Sequence, residues 1–278
     1  MGRKTVGDLM ERYRAGTPLT ALTAYDAPTA RLVDAAGVDI VLVGDSAGNA
    51  QLGHETTLPV TLEEALSNTA AVGRAVSDAM VIGDMPFLSY GTSMEESVRH
   101  AGRFLKEAGA DAVKLETAPH GDTTIEIIDR LTELGIPVQG HVGYTPQRQH
   151  ELGGPVIQGT DRDRSASVDD LVATAERLVD AGVFSLVVET VTERTAKAVT
   201  EAIDVPTIGI GAGRYVDGQV LVINDVLGLD GGQFTFTKRY ADLDRVISDA
   251  VEAYVEDVHS GDFPSAAHAF EPISDATQ

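Results

Sequence analysis

Eight short apolar runs, separated by stretches of helical periodicity and never by a linker, constrain this chain more than anything else in it. The runs are 19–24, 39–44, 80–83, 112–115, 137–141, 185–188, 207–210 and 220–223. Between them, apolar residues recur at three- and four-residue spacing over 27–36, 62–76, 94–108, 124–134, 168–181 and 193–202, as in helices with one buried face. The runs themselves are nearly continuous, as parallel strands covered on both sides must be. Strand–helix alternation, interrupted only between the last two runs, predicts an α/β fold, and eight strands predict a closed (β/α)8 TIM barrel. AAGVD, EAGAD, ELGIP and DAGVF each place a glycine where a helix ends and the next strand begins. An open doubly wound sheet is the structural rival, but its nucleotide-binding form carries GxGxxG after the first strand, where this chain has AYDAPTA. The expectation is a single domain over residues 1–278 with its core at about 18–258. A helix at 5–14 should lie across one end, a last helix should span 241–258, and a polar tail should run over the surface to Gln278.

Four of the runs end on an acid: VLVGDS at Asp45, VIGDMPF at Asp84, AVKLE at Glu116 and LVVET at Glu189. In a parallel barrel all strand C-termini open on one face, so these acids can share a site over an apolar floor. Any one of them alone reads equally well as a solvated edge or a helix N-cap. Lys114 stands two residues before Glu116, so the strand period puts both side chains on the same side, and its neighbours Val113 and Leu115 argue that it is buried. Acids crowded around one lysine would repel unless a cation joined them. Hard oxygen donors without cysteine favour magnesium at Asp45, Asp84 and Glu116, and the plain alternative is an ion-pair cluster around Lys114. Ser46 suits either an N-cap or an anion-binding hydroxyl. Glu189, across the barrel, is placed as a base, with a further metal ligand or an edge acid as its alternatives. His141 in GHVG reads as a hydrogen-bonding residue between the two groups. The glycines of GIGAG (209–213) serve either a phosphate or tight packing.

Charge narrows the partners. The net charge is −22, and only five of the 21 basic residues are lysine, so the surface repels nucleic acid and anionic membranes. It suits a cytoplasm of very high salt, where like-charge repulsion is screened. Transfer to low salt is therefore expected to unfold or dissociate the protein, and a melting midpoint that does not move between molar and millimolar salt would overturn this reading. The chain has no cysteine, which excludes disulfides, thiolate metal sites and a cysteine nucleophile. Its opening, MGRKTVGDLMERYRAG, reads as a charged helix and not as a secretory signal, and no apolar run approaches the roughly 20 residues of a membrane span. A soluble, cytoplasmic protein is expected.

A divalent metal on one side, a lysine beside it and a carboxylate base opposite suit proton abstraction next to the carbonyl of a 2-oxo acid. At these residues the chain resembles the ketopantoate hydroxymethyltransferase family. LTAYDAP, VGDS with LGHETTLPVT, GDMPFLSY, AGADAVKLE, GIPVQGHVGYTPQ, VPTIGIGAG, DGQVLV and FPSAAHAF carry the resemblance over nearly the whole chain. It implies a Mg²⁺-dependent barrel in pantothenate and coenzyme A synthesis, with Asp45, Asp84 and Glu116 at the metal, Glu116 through water. It further implies that Asp45, Ser46, Asp84 and Lys114 bind substrate and that Glu189 accepts the proton. The co-substrate would be 5,10-methylenetetrahydrofolate, for which no residues are assigned, and the assembly a homo-oligomer of stacked rings. Thr117-Ala118, Ala47 to Gln51 and Thr190-Val191-Thr192 depart from the family's pattern and leave every proposed catalytic group in place. The rival readings are a lyase or mutase of the phosphoenolpyruvate mutase and isocitrate lyase group, whose lyases use a cysteine, and a barrel that only binds a metal-chelated oxo acid.

Overall fold

A computed structural model describes residues 2–119, 121–229 and 234–270. The chain forms two compact units, Met1–Ile223 with Phe234–Thr237, and Asn224–Gln233 with Lys238–Gln278. The first holds a closed barrel of eight parallel strands in sequence order: β1 (Leu19–Thr23), β2 (Ile40–Val43), β3 (Met80–Asp84), β4 (Ala112–Glu116), β5 (Val138–Gly143), β6 (Ser185–Glu189), β7 (Thr207–Ile210) and β8 (Gly218–Leu221), with β8 closing on β1. The (β/α)8 expectation holds. Three acids placed just past their strands, Asp84, Glu116 and Glu189, are instead the last residues of β3, β4 and β6, because each still pairs with the next strand. β8 starts two residues before its apolar run, where Gly218 pairs with Leu19 of β1.

Alternation along the strands sorts the core. Leu19, Ala21, Ile40, Leu42, Met80, Ile82, Ala112, Ile208 and Val220 fill the barrel interior, joined by Leu9 from the N-terminal helix Val6–Arg14. That helix starts at a capping box in which Thr5 and Asp8 satisfy each other's backbone N–H groups. A larger cluster, including Phe104, Ile127, Ile128, Leu131, Leu171 and Leu178, lies between the sheet and its helices. Burial of both faces leaves few polar side chains inside the strands, Lys114 and Gln139 among them, and the others sit near the strand ends.

Asp34 shows how a buried acid is tolerated away from the mouth. Burial pushes its carboxyl up, but bonds from Ser77 N (2.8 Å), Ser77 Oγ (3.0 Å), Ala79 N (2.8 Å) and Asp78 N (3.2 Å) outweigh it and hold it below the usual range. A folded-state value below the unfolded one contributes stability that is present above about pH 4 and lost as pH falls through the folded value. Asp34→Ala is expected to cost about 3 kcal/mol at pH 7, since it leaves three backbone donors unpaired. Paired thermal melts at pH 7 and pH 3 check this: the gap between variant and wild type should narrow at acid pH, and an equal gap at both would refute it.

In the second unit a helix, Leu243–Ser260, presents Val246, Ile247, Val251, Tyr254, Val255 and Val258 at helical spacing, all exposed. Its bounds fall two residues later than the expected 241–258. Phe263 meets the Tyr254 ring edge-on and the His268 ring at a tilt. The tail expected to reach Gln278 lies, from residue 271, outside the described residues.

Candidate active site

The acids that end the apolar runs converge at the C-terminal mouth. Strand pairing sets Asp84 beside Lys114, Glu116 beside His141 and Gly143 beside Glu189, so the reactive groups form a line across four strands, β3 to β6. Lys114 Nζ donates to both oxygens of Asp84, at 2.8 and 2.9 Å, and lies 3.7 Å from Glu116 Oε1. Asp45, after β2, is tied to the same group, its backbone N–H donating to Asp84 Oδ2 at 3.2 Å. Asp45, Asp84, Lys114 and Glu116 are all at most 5 % exposed.

The two glycines before these aspartates have separate steric reasons. A Cβ at Gly44 would lie 2.6 Å from Ser46 Oγ, and one at Gly83 only 2.4 Å from the Phe104 ring. Gly44 thereby frees the Ser46 hydroxyl, which meets Tyr25 OH at 2.8 Å and makes no cap bond to the short helix Ala47–Ala50. Of the two sequence readings of Ser46, the side-chain cap is absent.

His141 links the halves of the site. Its Nδ1 lies 3.5 Å from Glu116 Oε1 and its Nε2 3.3 Å from Glu189 Oε2, ion-pair contacts too long to be good hydrogen bonds. Burial and the Lys114 charge push the imidazole pKa down, but the two carboxylates outweigh them and lift it to about 9. Among the carboxylates only Glu189 has an appreciably open side chain, at 19 %; Ser46 is also partly exposed.

Sequence reasoning missed Gln147. Its Nε2 donates to Asp45 Oδ2 and to the Met85 carbonyl, both at 3.0 Å, and its backbone N–H donates to Glu116 Oε2 at 3.0 Å. Tyr90 OH donates to Gln147 Oε1 at 2.7 Å and accepts from Glu116 N at 3.1 Å. Both residues lie within motifs already singled out, YTPQ and GDMPFLSY, but nothing in their spacing shows that they meet. In GIGAG the glycines lie close to neighbouring side chains. Gly211 lies against Phe236, and at Gly213 the neighbour is the Glu193 carboxylate, whose Oε1 accepts from Arg214 N at 3.4 Å. An acid in that position is unsuited to phosphate.

As the site stands, the acids surround a lysine. Among the described residues no three acidic or histidine side chains form a ready metal site, because Lys114 takes both oxygens of Asp84 and Gln147 takes one of Asp45. The charge is nevertheless unbalanced. Burial, then the charges of Asp84 and Glu116, push the Asp45 carboxyl well above its usual range. The Lys114 ammonium loses to burial but gains more from the three acids, and its pKa is raised. In donor chemistry the set fits a hard divalent cation, with only oxygens on offer.

An apolar barrel carrying buried acids, a lysine and a more open carboxylate at its strand C-termini defines a barrel enzyme, with its chemistry at the mouth. A family model described as ketopantoate hydroxymethyltransferase matches residues 3–266. The 3-methyl-2-oxobutanoate hydroxymethyltransferase of Halobacterium salinarum is 54 % identical over 252 residues, covering 91 % of this chain and 90 % of that protein. The enzyme of the same name from Natronomonas pharaonis is 51 % identical over 259 residues, covering 93 % and 94 %. The chain belongs to the ketopantoate hydroxymethyltransferase family. Solved structures that share the barrel include a phosphonopyruvate hydrolase complexed with oxalate and Mg²⁺ (TM-score 0.62, 13 % identity, covering 97 % of this chain and 93 % of that one) and 2,3-dimethylmalate lyase (0.59, 16 %, covering 96 % and 92 %). At such identity they establish the fold alone. No helix among the described residues is long and apolar enough to cross a membrane.

Proposed function

We propose that this chain transfers a hydroxymethyl group from 5,10-methylenetetrahydrofolate to 3-methyl-2-oxobutanoate, giving 2-dehydropantoate and tetrahydrofolate. The observation that carries the reading is the line Asp84, Lys114, Glu116, His141, Glu189, which spans the mouth from a buried charged cluster to an open carboxylate. The names of the close relatives support the same activity.

Asp45 and Asp84 would hold Mg²⁺, with Glu116 through water; the bound ion supplies positive charge at the 2-oxo acid's carboxylate and keto oxygens. Lys114 places a second positive charge beside the same oxygens, where the enolate charge develops. Ser46 and Tyr25 offer hydroxyls to the substrate carboxylate. Glu189 takes the proton from C3, and His141 holds that carboxylate in place and ties it to Glu116. Water cleaves both C–N bonds of the carrier's methylene bridge, its two protons going to the two nitrogens of tetrahydrofolate and its oxygen staying on the one-carbon unit as a carbonyl; C3 attacks that carbonyl carbon, and the alkoxide formed takes back the proton held by Glu189. The exposed apolar stripe on Leu243–Ser260 supports a homo-oligomer. Residues 1–278 as one catalytic domain, and a cytoplasmic site of action, complete the reading.

The test is proton exchange at C3. The protein, in high salt with Mg²⁺ and 3-methyl-2-oxobutanoate in deuterated water, should wash out the C3 proton signal without any folate. Adding methylenetetrahydrofolate should then yield 2-dehydropantoate. Folate-supported product without metal, or neither exchange nor product, would refute the reading.

A further inference from the structure

Gln147 spends every N–H it has, two of them on buried acids, and the chemistry above gives it no task. It is the middle residue of the short 3-10 turn Pro146–Arg148 and is itself buried. Within the turn Arg148 N donates to the Thr145 carbonyl at 2.9 Å and Pro146 has no N–H to give, which leaves the Gln147 N–H over. That N–H donates to Glu116 Oε2 at 3.0 Å, while the side-chain Nε2 donates to Asp45 Oδ2 and to the Met85 carbonyl, both at 3.0 Å. One residue of the loop after β5 thus grips both the acid that follows β2 and the acid that ends β4.

The amide cannot turn over. Tyr90 OH donates to Gln147 Oε1 at 2.7 Å and itself accepts from Glu116 N at 3.1 Å. With its oxygen held by Tyr90, the amide presents its nitrogen to Asp45, and the reversed amide would set an oxygen against a carboxylate. The brace thereby decides which oxygens remain. Asp45 Oδ2 and Glu116 Oε2 are occupied. Asp45 Oδ1 accepts no hydrogen bond among the described residues, and Glu116 Oε1 faces Lys114 Nζ at 3.7 Å and His141 Nδ1 at 3.5 Å. Each of these acids offers the mouth a single oxygen, and offering the second would break a bond to Gln147. Ca²⁺ gathers about six to eight oxygens and takes both from one carboxylate where it can, whereas Mg²⁺ keeps a small octahedral shell with several waters. Two acids limited to one oxygen each suit the smaller ion and penalise the larger.

We propose that Gln147, aimed by Tyr90, is the positioning residue that makes this cluster select Mg²⁺ over Ca²⁺, by holding one oxygen of Asp45 and one of Glu116 away from the cation. The proposal rests on the cation site put forward above. A glutamine that merely filled space between two acids would need neither a fixed amide orientation nor a backbone bond to the second acid, and both are present.

The experiment titrates MgCl₂ and CaCl₂ separately into the full-length protein in molar KCl, by calorimetry, for wild type, Gln147→Met and Tyr90→Phe, with a thermal melt of each. Wild type should bind Mg²⁺ more tightly than Ca²⁺. Gln147→Met keeps the length of the side chain and removes its hydrogen bonds; it should bind Mg²⁺ roughly tenfold more weakly and Ca²⁺ within about twofold, the loss expected for a group that orients a ligand. Tyr90→Phe keeps the ring and frees only the amide's orientation, and should move the ratio of the two affinities toward Ca²⁺ by about threefold. A general loosening of the fold weakens both ions alike and does not move that ratio. Should Gln147→Met fail to fold, Tyr90→Phe decides by the same ratio. A ratio unchanged in the folded variants overturns the proposal, as does a wild type that prefers Ca²⁺, and both leave the cation site standing. A wild type that binds neither ion overturns the cation site itself, and the proposal with it.

Discussion

Glu189→Gln should lose about a thousandfold in the rate of C3 exchange while binding 3-methyl-2-oxobutanoate within a few fold of wild type. The magnitude is that of removing a positioned general base, and the split between rate and affinity follows because the oxo acid is held by Lys114 and the buried acids, not by Glu189. Stability should hardly change. The Glu189 side chain is 19 % exposed, so an amide there remains solvated, and His141 keeps its contact with Glu116. Exchange followed by NMR in deuterated water, beside a thermal melt of each protein, makes the comparison. Exchange within threefold of wild type would remove Glu189 from the mechanism, and unaltered binding without turnover in wild type would favour a barrel that only binds an oxo acid.

Lys114→Met is expected to be the most damaging substitution for the fold. It keeps the length of the side chain and removes the ammonium that Asp84 grips at 2.8 and 2.9 Å, leaving buried acids with His141 as their nearest positive charge. Breaking a buried pair in this way costs about 3–5 kcal/mol, or on the order of 10 °C in melting temperature for a chain of this size. The pH dependence should run opposite to ordinary acid denaturation. With the lysine gone, repulsion and burial raise the folded-state carboxyl values above the unfolded ones, so the folded state binds more protons and stability falls as pH rises. Melting temperature measured from pH 5 to pH 8 should therefore decrease for the variant more steeply than for wild type. Mg²⁺ should restore more stability to Lys114→Met than it adds to wild type, because the ion replaces the missing charge. A variant melting within 2 °C of wild type, with a flat pH profile, would show that Lys114 does not organise the cluster.

The two substitutions probe residues whose legibility in the sequence differed. Lys114 was recognisable as buried because an ammonium between Val113 and Leu115, two residues from Glu116, has no good place on an outer face. The structure adds what it touches. Spacing suggested that Asp84 and Glu116 share its surroundings, whereas strand register decides that Asp84 is its direct neighbour and that Glu116 stands one step further, at 3.7 Å. His141 was legible only as a polar residue ending a strand. Its contacts on both sides come from β4 and β6 flanking β5 in a closed sheet, a relation between segments roughly 25 and 50 residues away in the sequence.

Gln147 lay beyond reach of pattern for a related reason. It sits in the long stretch after β5, where no period of two or three-and-a-half constrains direction, and a glutamine in a polar loop carries no signal of its own. The sequence by itself determined the architecture, the face of the barrel that would be reactive and the acids that would line it, because apolar periodicity and strand direction are local properties that repeat eight times. Only the tertiary structure decided which of those acids a lysine would hold, that a loop glutamine would reach Asp45 from 102 residues away, and that Tyr90 would aim it, because those outcomes depend on barrel closure and loop geometry, which bring distant residues within a few ångströms.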